Sequence, residues 1–140
     1  MRQILLFAAL ATSLALLSGC TLSKTKADTA EDMTGKAAYH KISAEEAYEM
    51  MASQEVVVVD VRTREEYDGG HIENAVLMPN ESIGSETPET LPDKEATLLI
   101  YCRSGRRSKD AAQKLLALGY QSVYDFGGVI DWPYELVKEG

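Results

Sequence analysis

The sequence predicts an α/β domain built on a parallel sheet, and three observations lead there. From Tyr39 onward, strand-like and helix-like segments alternate. The run Val56-Val57-Val58-Val59 is continuous and β-branched, which suits a strand buried on both faces. Two Ser/Thr-x-x-Glu patterns and one apolar stripe at helical spacing mark the helices between the strands.

Taken in order, Ser43-Ala44-Glu45-Glu46 is a capping-box pattern, and Ala47, Met50 and Met51 supply an apolar face behind it. The valine run follows and ends at Asp60-Val61-Arg62. Thr63-Arg64-Glu65-Glu66 is a second capping box, opening a short helix that Gly69-Gly70 closes. Ala75 to Met78 reads as a short strand stopped by Pro79, and 80–94 as a loop with at most short helical turns. Thr97 to Tyr101 is the second clear buried strand, with Cys102 at its carboxyl end. Helix signals resume at Ser108, where Ala111, Ala112, Leu115, Leu116 and Leu118 are spaced to bury one face and Gly119 is placed as the C-terminal cap. Ser122 to Asp125 reads as a last strand, and Gly127-Gly128 as the turn into a terminal helix over 132–138.

Composition narrows the function classes. Forty-five per cent hydrophobic and 26% charged residues are ordinary globular values, so disorder is not the expectation. The formal charge of −8 repels phosphate backbones and argues against nucleic-acid binding. Two cysteines, Cys20 and Cys102, are too few for a disulfide framework. With His40 and His71 isolated, no Cys/His cluster has metal-site spacing, so no metal is expected.

The first nineteen residues read as an address. Arg2 precedes an apolar stretch from Ile4 to Leu17, followed by the small residues Ser18-Gly19, the pattern of a signal peptide. The stretch is shorter than the roughly 20 apolar residues of a membrane-spanning helix. Leu17-Ser18-Gly19-Cys20 resembles the lipobox of bacterial lipoproteins, which implies cleavage before Cys20 and lipid attachment to it. Residues 20–38 follow as a lipidated cysteine and a small, polar tether, with the folded domain expected over 39–140. The expected location is the cell envelope, lipid-anchored on the extracytoplasmic side of a bacterial membrane.

Chemistry concentrates in Cys102-Arg103-Ser104-Gly105-Arg106-Arg107-Ser108. A strand ends, a small loop turns and a helix begins, so main-chain N–H groups can converge on one point and favour an anion. Three arginines add fixed positive charge. A cysteine so placed loses its proton more easily than a free thiol, whose pKa is about 8.5. Read alone, Cys102 is a small buried hydrophobe at a strand end; the arginines and Gly105 favour a reactive thiolate.

These residues, with others, resemble the rhodanese family. Asp60-Val61-Arg62, Glu66-Tyr67, Gly70-His71-Ile72, Asn74-Ala75 and Pro79 follow its pattern, as do Cys102, Gly105, Arg107 and Ser108 in its Cys-x-x-Gly-x-Arg-Ser loop. Gly119-Tyr120, Val123, Gly127-Gly128 and Trp132 match its closing segment. Asn74 departs from the pattern, standing where glycine is usual. The resemblance implies a sheet of about five parallel strands flanked by helices. It also implies sulfur transfer, without a cofactor, from a small anionic donor such as thiosulfate to a thiol or cyanide acceptor through a persulfide on Cys102. Main-chain amides of Arg103 to Ser108 would hold the persulfide, and Arg103 and Arg106 would draw in the anion. Arg107 is placed either on the substrate or as a brace of the loop. Asp60 and Arg62 read as an ion pair that fixes the loop rather than as acid and base. His71 reads as structural, and Trp132 as core or pocket wall.

Two rivals stand beside this reading. Cysteine-dependent phosphatases and arsenate reductases resemble Cys-x5-Arg, whereas Arg107 follows Cys102 after four residues and Ser108 occupies the next position. The shorter loop makes a smaller cradle, better suited to one sulfur than to a tetrahedral oxyanion. A non-catalytic binding or regulatory module of the same fold is the other rival, and the retained Cys102 speaks against it.

Overall fold

The computed structural model describes residues 37–138. Cys20 and the stretch read as signal and tether up to residue 36 lie outside them, as do 139–140. The elements are β1 (Ala38–Lys41), α1 (Ala44–Ser53), β2 (Val57–Asp60), α2 (Arg64–Asp68), β3 (Val76–Leu77), β4 (Thr97–Cys102), α3 (Arg106–Ala117) and β5 (Ser122–Gly128). The strands form one sheet in the order β1-β5-β4-β2-β3, every pair parallel. The α/β class and the five-stranded parallel sheet expected from the sequence are both present. β1 opens at Ala38, the last residue assigned to the tether. Among the described residues, no helix is long and apolar enough to cross a membrane.

Central strands are buried on both faces because each face carries its own core. Leu98, Ile100 and Cys102 alternate with Leu99 and Tyr101 along β4, as side chains of a strand must. The first set packs with Val59, Val61, Ala111, Ala112, Leu115, Tyr120 and Val123 under α3. The second packs with Ala47, Val58, Tyr67, Ile72 and Phe126 under α1 and α2. Cys102 therefore points toward the start of α3.

Both capping boxes form, with Ser43 Oγ accepting from Glu46 N at 3.1 Å and Thr63 Oγ1 from Glu66 N at 3.3 Å. Gly119, at φ 97°, lies just past the C-terminus of α3, where Tyr120 N donates to Leu115 O and Gly119 N to Leu116 O. Asn74 is the one non-glycine at positive φ (62°) among the described residues. The left-handed turn that glycine usually supplies is thus kept by the side chain that tolerates it best after glycine.

Three boundaries differ from the sequence reading. α3 begins at Arg106 rather than Ser108, because Gly105 takes a left-handed φ of 98° and starts the helix two residues earlier. β5 runs on through Gly128 instead of ending at Asp125. The terminal helix over 132–138 does not form: a 3-10 turn (Val129–Asp131) leads into extended chain. Pro133 holds Trp132 extended (φ −76°, ψ 113°), as a proline does to the residue before it. The following segment instead pairs Val137 with His71, through N–H···O bonds of 2.8 and 2.9 Å.

If Asn74 earns its place by tolerating the left-handed turn, Asn74→Gly leaves the urea midpoint unchanged or higher. Asn74→Val lowers the unfolding free energy by about 1–2 kcal/mol.

Candidate active site

Cys102 ends β4, and its residue is only 1% exposed. The loop Arg103–Gly105 folds over it and delivers N–H groups to the sulfur. Gly105 N donates to Cys102 Sγ at 3.0 Å, and Ser108 Oγ lies 3.7 Å away. Burial alone pushes the thiol pKa up, since a dry interior disfavours the anion. The N–H groups of Ser108, Gly105 and Ser104, with the Ser108 hydroxyl, outweigh that penalty, and the pKa ends below its ordinary value. The thiolate is held by main-chain dipoles rather than by contact with a guanidinium.

The loop keeps this shape because β5 presses against it from behind. A Cβ on Gly128 would sit 2.3 Å from Arg103 O and 2.7 Å from Ser104 Cα, so only glycine fits there. A bulge places Gly127 and Gly128 opposite Tyr101 and Cys102. Asp125 fixes it: its Oδ1 accepts from Gly127 N at 2.9 Å, and its Oδ2 from Tyr39 Oη at 2.8 Å. Burial, followed by this carboxylate, raises the Tyr39 pKa to about 12, so the phenol stays a donor. Ser108 Oγ lies within hydrogen-bond reach of Gly105 O (3.0 Å), Gly127 O (3.3 Å) and the sulfur (3.7 Å), so its single proton is shared among bulge, loop and sulfur. Asp125 was not singled out from the sequence; an Asp two residues before a Gly-Gly pair is the local signal, since that carboxylate can cap the second N–H on. Gly128 was read only as a turn, and its close approach to Arg103 is visible only in three dimensions.

The arginines divide into two groups. Arg103 and Arg106 are exposed at the loop, free to attract an anion. Arg107, expected either on the substrate or as a brace, pairs with Glu66: its Nη1 and Nη2 donate to Glu66 Oε2 and Oε1 at 2.7 and 2.8 Å. That fork-to-fork pair ties the first turn of α3 to α2. The hydrogen bond from Arg107 is the leading reason the Glu66 pKa falls to about 2.

Asp60 and Arg62 form the ion pair expected of them. Arg62 Nη2 lies 2.6 Å from Asp60 Oδ2 and also donates to Gly70 O at 2.8 Å, with both side chains buried. Tyr101 Oη donates to Asp60 Oδ2 at 2.6 Å and accepts from Ile72 N at 3.1 Å. The network joins the ends of β2 and β4 to the turn after α2. Neither residue touches the Cys102 sulfur. His71 is buried, stacks on Tyr67 (3.6 Å between centroids) and bonds Tyr67 O through Nδ1, a structural placement. Trp132 forms part of a groove wall on the α1 side of the sheet. Among the described residues, no three His, Cys, Asp or Glu side chains gather as metal ligands.

A parallel α/β sheet that ends in a thiolate cradle, closed by a glycine pair from the neighbouring strand, defines a cysteine-loop domain. The model of the rhodanese-like domain family matches residues 43–133, and the chain belongs to that family. Among curated proteins it is 33% identical over 113 residues to the tRNA uridine(34) hydroxylase of Hamiltonella defensa subsp. Acyrthosiphon pisum, covering 76% of this chain and 32% of that one. Over 106 residues it is 29% identical to the protein of the same name from Yersinia pestis, covering 72% of this chain. The chain thus spans about a third of the length of these curated relatives. Among solved structures, a rhodanese-like domain protein from Staphylococcus aureus is 32% identical at a TM-score of 0.62, covering 72% of this chain and 99% of that one. A human single-domain sulfurtransferase is 26% identical at 0.60, covering 66% and 89%. A rhodanese with anions from E. coli is 31% identical at 0.54, covering 61% and 100%.

Two outcomes test the cradle. Gly128→Ala pushes Cβ into the Arg103 main chain, so the thiol pKa, read from thiolate ultraviolet absorbance, rises toward that of a free cysteine. For Glu66, a carboxyl pKa depressed in the folded state stabilises the fold above its unfolded value of about 4.3, and that stability is lost as pH falls toward 2. Glu66→Gln keeps the capping pattern but loses the ion pair. It costs about 1 kcal/mol at pH 7, and its melting temperature falls less steeply than wild type between about pH 5 and 2.

Proposed function

We propose that this chain is a sulfurtransferase that carries sulfane sulfur on Cys102, taking it from thiosulfate or a similar small anionic donor. The observation that carries the reading is the convergence of N–H groups on a buried sulfur whose thiolate they favour, with Gly105 N at 3.0 Å. The Cys102 thiolate attacks the outer sulfur of thiosulfate. A Cys102 S–S bond forms, the donor S–S bond breaks, and sulfite leaves with the bonding pair. The persulfide is itself an anion, so the cradle that favours the thiolate also favours the product. An acceptor thiolate or cyanide then attacks the outer sulfur and returns Cys102 to the thiolate.

Arg103 and Arg106 supply the positive field at the mouth of the loop. The chain has only one other cysteine, Cys20. With Cys20 lipidated, as the lipobox implies, no thiol of the same chain is left to resolve the persulfide as a disulfide. Sulfur therefore leaves to an external acceptor. The same motif supports a lipid-anchored protein acting on the extracytoplasmic side of a bacterial membrane.

Incubation of the full chain with thiosulfate, followed by intact mass, tests the reaction class. Wild type gains one sulfur and releases sulfite, and Cys102→Ser gains none. A mass that stays constant in wild type while thiol titration shows Cys102 intact would leave the fold without this chemistry.

A further inference from the structure

An open groove of about 830 Å3 lies across the layer formed by α1 and the chain after β5, and no residue of the Cys102 loop lines it. Its wall is aromatic. Tyr48 and Tyr134 stack face to face (3.8 Å between centroids, 16°), and Trp132 stands edge-on to Tyr134 at 5.0 Å. Tyr48 and Tyr134 stay substantially exposed, at 46% and 37%. Charged residues along the lining are acidic only, Glu73 and Glu135; no lysine, arginine or histidine lines it. Glu45 and Glu49, outside the lining, add to the same field: after desolvation, their charges with Tyr48 help raise the pKa of Tyr134.

Ring faces carry negative quadrupoles, and carboxylates placed around them add to the same field, so the groove complements a cation and repels anions. At about 830 Å3 the groove leaves room beyond one small organic cation, enough for main chain beside a basic side chain. The indole Nε1 of Trp132 is buried with no hydrogen-bond partner among the described residues. Aromatic faces, carboxylates and a spare donor together describe a site for a segment of polypeptide bearing a basic side chain.

We propose that the groove of Tyr48, Trp132, Tyr134, Glu73 and Glu135 binds an arginine- or lysine-bearing peptide segment of a partner protein. The site is independent of sulfur chemistry at Cys102 and has the opposite charge preference. It gives a partner protein a place to dock that does not compete with the anionic donor for the arginine loop.

Trp132 is the only tryptophan of the chain, so its emission reports the groove directly. Titration of the full chain with a capped Ala-Arg-Ala peptide gives a saturable change in that emission. The citrulline counterpart, equal in shape and uncharged, binds at least tenfold more weakly, and added salt weakens the arginine peptide. Tyr48→Ala and the conservative Glu135→Gln each reduce the affinity at least threefold, while Cys102 persulfidation by thiosulfate stays at the wild-type level and reports an intact fold. Equal binding of the citrulline peptide overturns the proposal, as does no response to either peptide. So does a response to tetramethylammonium as strong as that to the arginine peptide, which would make the groove a small-cation site.

Discussion

A buried thiolate is tolerated only where hydrogen-bond donors replace the water it has lost, and the architecture around Cys102 is arranged to supply them. The sulfur sits at the buried end of β4, where an unassisted thiol would hold its proton. Main-chain N–H groups of Ser104, Gly105 and Ser108 reverse that preference. Such donors cost nothing in side-chain entropy and cannot swing away, but their aim depends wholly on the path of the loop. The path is held from behind by Gly128 against Arg103 and from the side by Arg107 on Glu66.

This explains why so many polar groups near the site never touch the sulfur. The pair of Asp60 and Arg62, with Tyr101, locks the ends of two neighbouring strands. Asp125 locks the bulge in β5 through Gly127 N, and Lys41 lies 3.6 Å from the same carboxylate. Each is a buried charge satisfied by partners close in space, and each would be expensive left unpaired. Their effect on chemistry passes through geometry: a loop displaced by a fraction of an ångström loses the N–H···S distance of 3.0 Å.

Much of this could be read in the sequence, and the divisions have physical causes. Capping boxes at Ser43 and Thr63 are local devices, fully specified within four residues, and both form. The β-branched run before Asp60 and the apolar run before Cys102 define buried strands by composition alone. The Cys102 loop was legible because its residues are contiguous in the chain. What escaped was set by contacts across the fold. The partner of Arg107 is Glu66, 41 positions away and invisible to any local reading. The sequence reads 132–138 as a terminal helix, yet Pro133 and the pairing of Val137 with His71 hold it as extended chain. A glycine such as Gly128 shows its constraint only when the opposing backbone is in view.

The failure of that terminal helix also shapes the second face of the molecule. Extended chain instead lays Tyr134 onto Tyr48 of α1 and keeps Trp132 against Phe126, with 5.6 Å between their centroids. One strand end thus governs both faces. Gly127 and Gly128 close the cradle around Cys102, and the turn that follows carries the aromatic residues over to α1. The cationic loop and the acidic aromatic groove are joined by three residues, Val129 to Asp131, with Ile130 N donating to Arg103 O at 3.2 Å. The two faces therefore share this short connecting segment, while no residue of the Cys102 loop lines the groove.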